Sequence, residues 1–281
     1  MAKLIYNDDT LRQYLPNVFA TVKGEMSLFD KVKVDIDLAE NWVIETFTSI
    51  KTFGAIQGYV DSNPTKIITA KLIASEALRR AIPSLDLVLT PNGFGVVSNQ
   101  NVAPASKERV DRLIASLTDY RNKCIGELLP ALVGASQWLN SKQCEFFAAS
   151  LFPNFDKFNS LDAMDYAVDK WQKYLELREK AIDIENSIAE EFISPQLLET
   201  LRKNCISDML ELSQMHVCDA VRYEVLRVLV DKPIRTNKML SVVNFIRNNP
   251  ESFPEWHASE TAKLFAPPIF TNLKTNKGYW F

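Results

Sequence analysis

Apolar residues recur at helical spacing through most of this chain, which predicts a helix-dominated fold. One helix is expected to begin at Asn63-Pro64, because a capping side chain followed by proline at the first helical position is a strong start signal. Pro83 should end this helix. Its apolar stripe consists of Ile67, Ile68, Leu72, Ile73, Ala77 and Leu78.

A second group of helices is predicted after residue 105. Ser106 is a candidate cap for a helix that Gly126 and Pro130 should end or kink. From Ser160 to about Phe192 the pattern predicts one long amphipathic helix or two abutting ones.

The last helices follow the same logic. Ser194-Pro195 repeats the signal of a cap followed by proline and predicts a further helix start. Helical periods also indicate helices from about Val217 to Val230 and from about Lys238 to Arg247. Pro233 separates the two.

The helical pattern is interrupted between Leu85 and Ser106. Pro91-Asn92-Gly93 is a β-turn sequence, and the β-favouring runs 87–89 and 96–97 flank it. A β-hairpin over about residues 85–98 is therefore predicted, and Phe94 beside the turn joins Pro91, Asn92 and Gly93 as a candidate interface residue.

The C-terminal sequence PPIFTNLKTNKGYWF predicts a second hairpin, over about residues 268–281. Its final residues Tyr279, Trp280 and Phe281 would expose a large apolar surface if the tail were free. We therefore expect these three aromatic residues to pack in a subunit or partner interface.

The fold class predicted from these patterns is mainly α, a helical bundle body with one or two β-hairpins. A boundary near Pro153 to Ser160 divides the chain into an N-terminal half, 1–155, and a C-terminal half, 156–281, unless the two form one continuous domain. The order of helices and then a hairpin occurs in both halves, which leaves a degenerate duplication as an alternative.

Composition restricts the classes of function. The 281 residues carry a net charge of −3, with basic and acidic residues scattered, so non-specific binding to DNA is disfavoured. No signal peptide and no stretch approaching the ~20 apolar residues of a membrane span is recognised. The four cysteines lack CxxC spacing and are interpreted as buried free thiols. We expect a soluble protein made in a reducing cytoplasm.

The sequence predicts no catalytic residues, no metal ligands and no cofactor site, and hence a protein that is not an enzyme. His216 and His257 are the only histidines, and neither belongs to a metal or nucleophile motif. The carboxylate pairs are interpreted as solvated helix faces; they are Asp8 with Asp9, Asp35 with Asp37, and Glu190 with Glu191. The GFG sequence at 93–95 lacks the spacing of a phosphate-binding loop.

The run LDLVLTPNGFGVVSNQNVAPASKERV, the helix after it and the ending KTNKGYWF resemble an uncharacterised family of proteins from Bacteroidetes prophages and gut bacteriophages. The resemblance is strongest over about residues 70–120. It implies a structural protein of the virion, a head-tail connector that forms an adaptor ring below the portal. The chain is longer than typical small connectors, so its second half would be a duplicated or elaborated body.

The resemblance also implies the partners. They are copies of the same chain in a ring and the portal and tail or neck proteins, with no membrane and no sequence-specific nucleic acid, although DNA could pass through the ring. The protein would reside in the virion after assembly in the host bacterial cytoplasm. The alternatives are another tail or neck component, a soluble helical adaptor, and, least favoured, an enzyme with an unrecognised acidic site.

Overall fold

The structure is a computed structural model that describes residues 3–15, 26–85, 87–90, 93–96 and 106–266. Within these ranges the chain forms fourteen α-helices and two short strands, so the expected mainly α class is correct. The first seven helices are α1 (Asp8–Tyr14), α2 (Leu28–Val43), α3 (Ile50–Gln57), α4 (Pro64–Ala81), α5 (Lys107–Leu132), α6 (Ser136–Leu139) and α7 (Lys142–Ala148). The other seven are α8 (Asp162–Asp165), α9 (Lys170–Ile188), α10 (Pro195–Ile206), α11 (Leu212–Leu229), α12 (Thr236–Arg247), α13 (Pro254–His257) and α14 (Glu260–Leu264).

Four shorter helical turns connect these elements. Two are 3₁₀ turns, at Ile82–Ser84 and Phe155–Phe158. The other two are π-helical turns, Ile44–Thr48 directly after α2 and Ala189–Ile193 directly after α9. Each π turn widens the last turn of a long helix and so redirects the chain into the next one.

The predicted helix starts are confirmed where the signal is local. The Asn63 side chain accepts hydrogen bonds from the backbone N–H groups of Thr65 and Lys66, and Pro64 is the first residue of α4. Pro195 likewise begins α10. These short signals determine helix starts because both partners lie within a few residues of each other.

The helix does not end at Gly126 or at Pro130, since α5 continues to Leu132. Pro130 has no N–H group to donate to the carbonyl of Gly126, but the side-chain amide of Asn154 donates to that oxygen at 3.2 Å. A Cβ at position 126 would lie 3.4 Å from the Phe155 ring, so the glycine permits this close approach. A residue 24 positions beyond the proline therefore compensates for it.

Two strands lie in the segment where the sequence predicts the first hairpin. β1 (Leu87–Thr90) pairs with β2 (Gly93–Val96) in antiparallel register, with Thr90 opposite Gly93. Within the described residues neither strand has a second neighbour. The turn residues Pro91 and Asn92, and the whole of the second predicted hairpin at 268–281, lie outside the described residues.

The chain divides into two compact units, Met1–Ile182 with Arg202–Met209, and Asp183–Leu201 with Leu210–Phe281. This division differs from the boundary predicted near residues 153–160. The physical reason is aromatic packing: the Phe152 and Phe158 rings stack at 4.4 Å, and the Tyr174 hydroxyl donates to the Phe152 carbonyl at 3.0 Å. These contacts hold residues 152–158 inside the first unit.

The core of the first unit contains an aromatic cluster. Phe47, Phe147 and Trp138 are fully buried, and the rings of Phe47 and Phe147 are stacked with their centroids 6.1 Å apart. The Trp138 indole donates to the Phe47 carbonyl at 2.6 Å. No helix in the described part of the chain is long and apolar enough to cross a bilayer.

Candidate functional site

The structure describes only two of the seven residues predicted as interface candidates. Gly93 and Phe94 are the first two residues of β2 and face Thr90 and Leu89 of β1. The five others lie outside the described residues; they are Pro91, Asn92, Tyr279, Trp280 and Phe281. That these seven residues form an interface therefore stays a prediction.

The histidines and cysteines are dispersed in the described structure. The His216 ring packs 4.8 Å from the Phe245 ring, and a His257 ring nitrogen lies 3.4 Å from the Ile246 carbonyl oxygen. Burial raises the pKa of the Cys124 thiol to about 12, so this group stays protonated at neutral pH and is a poor nucleophile. Within the described ranges, no three histidine, cysteine or acidic side chains are grouped to hold a metal ion.

The carboxylate pairs noted in the sequence do not converge on one site. Asp37 forms an ion pair with Lys3, and Asp8 accepts a hydrogen bond from the Phe29 backbone N–H at 2.9 Å. Burial raises the pKa of Asp35 from its usual range, and Glu190 is exposed. These contacts are those of helix surfaces and caps.

The densest cluster of charge is a buried ion-pair network that joins α4, α5 and the start of α9. Glu76 of α4 is 2% exposed and pairs with Arg79 at 2.9 Å and Arg80 at 2.6 Å. Arg121 of α5, also 2% exposed, reaches Glu76 at 3.4 Å and forms an ion pair with Asp169. Asp169 also accepts the Trp171 backbone N–H at 3.0 Å, so the network is attached to the first turn of α9.

The electrostatics of this network favour the ionised carboxylate. Burial alone would raise the pKa of Glu76, but hydrogen bonds from Arg79 and Arg80 and the charges of Arg79 and Arg121 lower it overall. The same carboxylate raises the pKa of Arg79. With its pKa lowered, this carboxylate stays ionised at neutral pH and is a weak base. The contacts of the network hold three helices in position.

A second buried glutamate has a similar environment in the second unit. Glu224 of α11 is 2% exposed and accepts from the Arg235 guanidinium at 2.6 Å and from its backbone N–H at 2.9 Å. Arg227 lies 3.6 Å away, one helical turn along. The Arg235 guanidinium also stacks over the Tyr223 ring, 4.5 Å from its centroid.

Sequence reasoning missed both glutamates, although a local signal exists. Glu76 with Arg79 and Arg80, and Glu224 with Arg227, have the i,i+3 or i,i+4 spacing that allows ion pairs on one helix face. Because such pairs are common on solvated faces, the spacing by itself does not predict burial. The partner from another helix, Arg121 in the first case, has no signal in the local sequence.

The first unit also contains a cavity of about 470 Å³ between the first π turn, α7 and the start of α9. Aromatic and polar side chains share its lining, with one carboxylate and one ammonium group. The lining residues are Trp42, Glu45, Thr46, Lys142, Gln143, Phe146, Trp171, Gln172 and Leu175. This lining can contact a flat or amphipathic group but contains no nucleophile paired with a base.

Comparison with known proteins gives one match. The model of a family of unknown function (DUF6712) matches residues 19–148, the stretch that contains α2 to α7. No curated protein and no solved structure matches the chain.

Proposed function

We propose that this protein is a structural protein of a bacteriophage virion, a head-tail connector that acts by assembling with copies of itself into a ring below the portal. The observation that carries the proposal is the two-stranded sheet of β1 and β2. An isolated two-stranded sheet is at best marginally stable in water, and its outer edges offer unpaired backbone groups. A strand from a neighbouring subunit would complete it.

The helical body supports the same role. A ring subunit must keep its shape while its neighbours bind, and two buried networks centred on Glu76 and Glu224 tie helices together inside the subunit. Removing a partner from such a network is costly, so the helices are held in one arrangement. The hairpin and the tail 267–281 would then provide the adhesive segments.

The resemblance to phage proteins gives the proposal its biological setting. It rests on the run from Leu85 to Val110 and on the ending KTNKGYWF. Copies of the same chain, the portal and the tail or neck proteins are the proposed partners. In the virion the ring would surround the path of the DNA without reading its sequence.

The first test is the oligomeric state of the full chain, measured by native mass spectrometry and by electron microscopy. A closed ring of identical subunits is the expected result. A strictly monomeric protein at the concentrations reached in an infected cell would contradict the ring. Co-purification of the protein with assembled particles, detected by mass spectrometry, tests the virion assignment separately.

A soluble helical adaptor is the second candidate, favoured by the aromatic cavity of the first unit. An adaptor that binds a peptide there would remain monomeric. Phe146→Ala, at an exposed position of the lining, would enlarge this cavity and weaken peptide binding. The same substitution should leave ring formation through the hairpin intact, so the two functions are distinguishable.

A further inference from the structure

The two π turns have the same surroundings in the two parts of the chain. In the first, the Trp138 indole donates to the carbonyl of Phe47, the fourth residue of Ile44–Thr48, at 2.6 Å. In the second, the Trp256 indole donates to the carbonyl of Phe192, the fourth residue of Ala189–Ile193, at 2.9 Å. Each tryptophan lies in a four-residue helix, α6 or α13.

The residue after each π turn has the same rare backbone geometry. Ser49 has φ 75° and ψ 158°, and Ser194 has φ 71° and ψ 144°. In each case the serine hydroxyl accepts a backbone N–H three residues ahead, from Thr52 at 3.3 Å and from Leu197 at 3.2 Å. Positive φ at a residue other than glycine is uncommon, so its recurrence at matching positions is specific.

The aromatic partners of the tryptophans also correspond. Phe147 stacks on Phe47 at 6.1 Å, and Phe265 stacks on Phe192 at 6.5 Å. The ring centroids of Phe147 and Trp138 are 6.5 Å apart, and those of Phe265 and Trp256 are 6.3 Å apart.

Capping and side-chain contacts follow the same register. The hydroxyls of Ser141 and Ser259, each three residues after its tryptophan, donate to the tryptophan carbonyl at 2.6 Å and cap the next helix. Gln143 donates to the Glu45 carbonyl, and its counterpart Thr261 donates to the Glu190 carbonyl. The sequences WLNSKQCEFFA (138–148) and WHASETAKLFA (256–266) share Trp, Ser, Phe and Ala at equal positions.

One pair of long helices agrees in length, and a second pair agrees in its buried positions. α4 and α11 both have 18 residues, and the buried glutamates Glu76 and Glu224 are each the thirteenth residue, with an arginine three positions later. In α5 and α12, positions 121, 124, 125 and 128 correspond to 239, 242, 243 and 246, and all eight are buried.

One segment breaks the correspondence. Between α4 and the part of α5 that matches α12 the chain runs through residues 82–117, which include β1, β2 and the first eleven residues of α5, whereas residues 230–235 suffice between α11 and α12. Both helix pairs nevertheless keep the same buried positions. The shorter connection shows that a helix pair of this kind can form without a hairpin between its members.

We infer that residues 44–148 and 189–266 contain two copies of one helical module, and that residues 82–117 of the first copy are an insertion the module does not need in order to fold. The family model that matches residues 19–148 thus spans the first copy and not the second.

The first experiment replaces residues 82–117 of the full chain by the sequence VDKPIR of residues 230–235. We expect this graft to keep its helical circular dichroism and a single cooperative unfolding transition. As a control, the same six residues replace residues 133–135 between α5 and α6, where no insertion is inferred. This variant measures how well the fold tolerates a foreign connection at another position. Loss of cooperative unfolding in the first graft would overturn the insertion.

The second experiment tests the duplication in the intact chain, by hydrogen exchange of Trp138→Phe and Trp256→Phe. Each change removes one buried indole hydrogen bond, so exchange should rise about tenfold in the π turn of its own copy. The duplication is overturned if either variant leaves its own π turn unchanged. Whether the graft folds tests the insertion. Whether the graft still forms oligomers tests the assembly role proposed above, so the two proposals can fail separately.

Discussion

The carboxylate of Glu76 is a single group on which three arginines converge inside the first unit. It is 2% exposed, and Arg121 beside it is equally buried. An isolated ionised carboxylate would be very unfavourable at this depth, and its charge is tolerated because the arginines surround it. The network therefore makes a strong prediction about pH.

Replacing Glu76 by glutamine should lower the free energy of unfolding at pH 7 by about 3 kcal/mol, because it removes the carboxylate charge that balances three arginines, one of them buried. The pKa of Glu76 is lower in the folded protein than its usual value of about 4.3, so the stabilisation is complete above that pH. It is lost as the pH falls from there through the folded-state pKa. The difference between wild type and variant should shrink over that window.

Urea unfolding followed by circular dichroism between pH 7 and pH 3 measures this difference. Glu108→Gln, at an exposed position in the first turn of α5, is the matched control and should have little effect. A difference between wild type and Glu76→Gln that stays constant over the whole range would contradict the prediction.

Ser49 and Ser194 give a second prediction at the residue scale. Their backbone region is occupied almost only by glycine and costs of order 1–3 kcal/mol for other residues. Replacement by alanine keeps that strain and removes the hydroxyl that caps the next helix, a loss of about 1 kcal/mol. Replacement by glycine also loses the cap but relieves the strain.

At both serines the glycine variant should therefore be more stable than the alanine variant in thermal unfolding. At Ser62, which is exposed in a turn, glycine should show no such advantage. If alanine equals or exceeds glycine at Ser49 or Ser194, the backbone strain assigned to that position is absent.

At the scale of elements, α5 shows how a helix can continue through a proline. The carbonyl of Gly126 loses its helical donor at Pro130 and receives the side-chain amide of Asn154. Two positions distant in sequence are thereby coupled.

Asn154→Ala should lower the free energy of unfolding by about 1–2 kcal/mol, because it leaves the Gly126 carbonyl without its donor. In a Pro130→Ala background the helix can supply its own N–H, so Asn154→Ala should cost less there. A double-mutant cycle by urea unfolding measures the coupling. Asn140→Ala, which removes an exposed bond to the Ser136 carbonyl, is the control. Additive effects of Asn154→Ala and Pro130→Ala would contradict the coupling.

At the scale of the whole molecule, the prediction concerns assembly. Tyr279, Trp280 and Phe281 could contribute several kcal/mol to a subunit contact, at roughly 25 cal/mol per Å² of apolar area buried. Deleting residues 269–281 should shift the protein toward monomers in native mass spectrometry and leave most of its helical circular dichroism unchanged.

The control for this deletion keeps the aromatic residues and replaces Lys274 and Lys277 by serine. This variant should assemble like the wild type. If the deleted protein forms the same oligomers as the full chain, the tail does not contribute to assembly and the contact must be sought elsewhere.

The sequence by itself determined the helical class, the start of α4 at Asn63-Pro64 and the start of α10 at Pro195. These features depend on groups a few residues apart, whose conformational preferences act before any tertiary contact forms. The same local reasoning could not identify a binding or catalytic site, because the candidate residues are dispersed through the chain.

Only the tertiary structure decided which distant groups meet. Arg121 lies 45 positions from Glu76, Asn154 lies 28 from Gly126, and Trp138 lies 91 from Phe47. No local pattern encodes such pairs, because the free energy that selects them comes from burying apolar surface and satisfying polar groups together in one packed interior. Few identical residues mark the recurrence of the module in the sequence, because its two copies have many contacts in common but few residues in common.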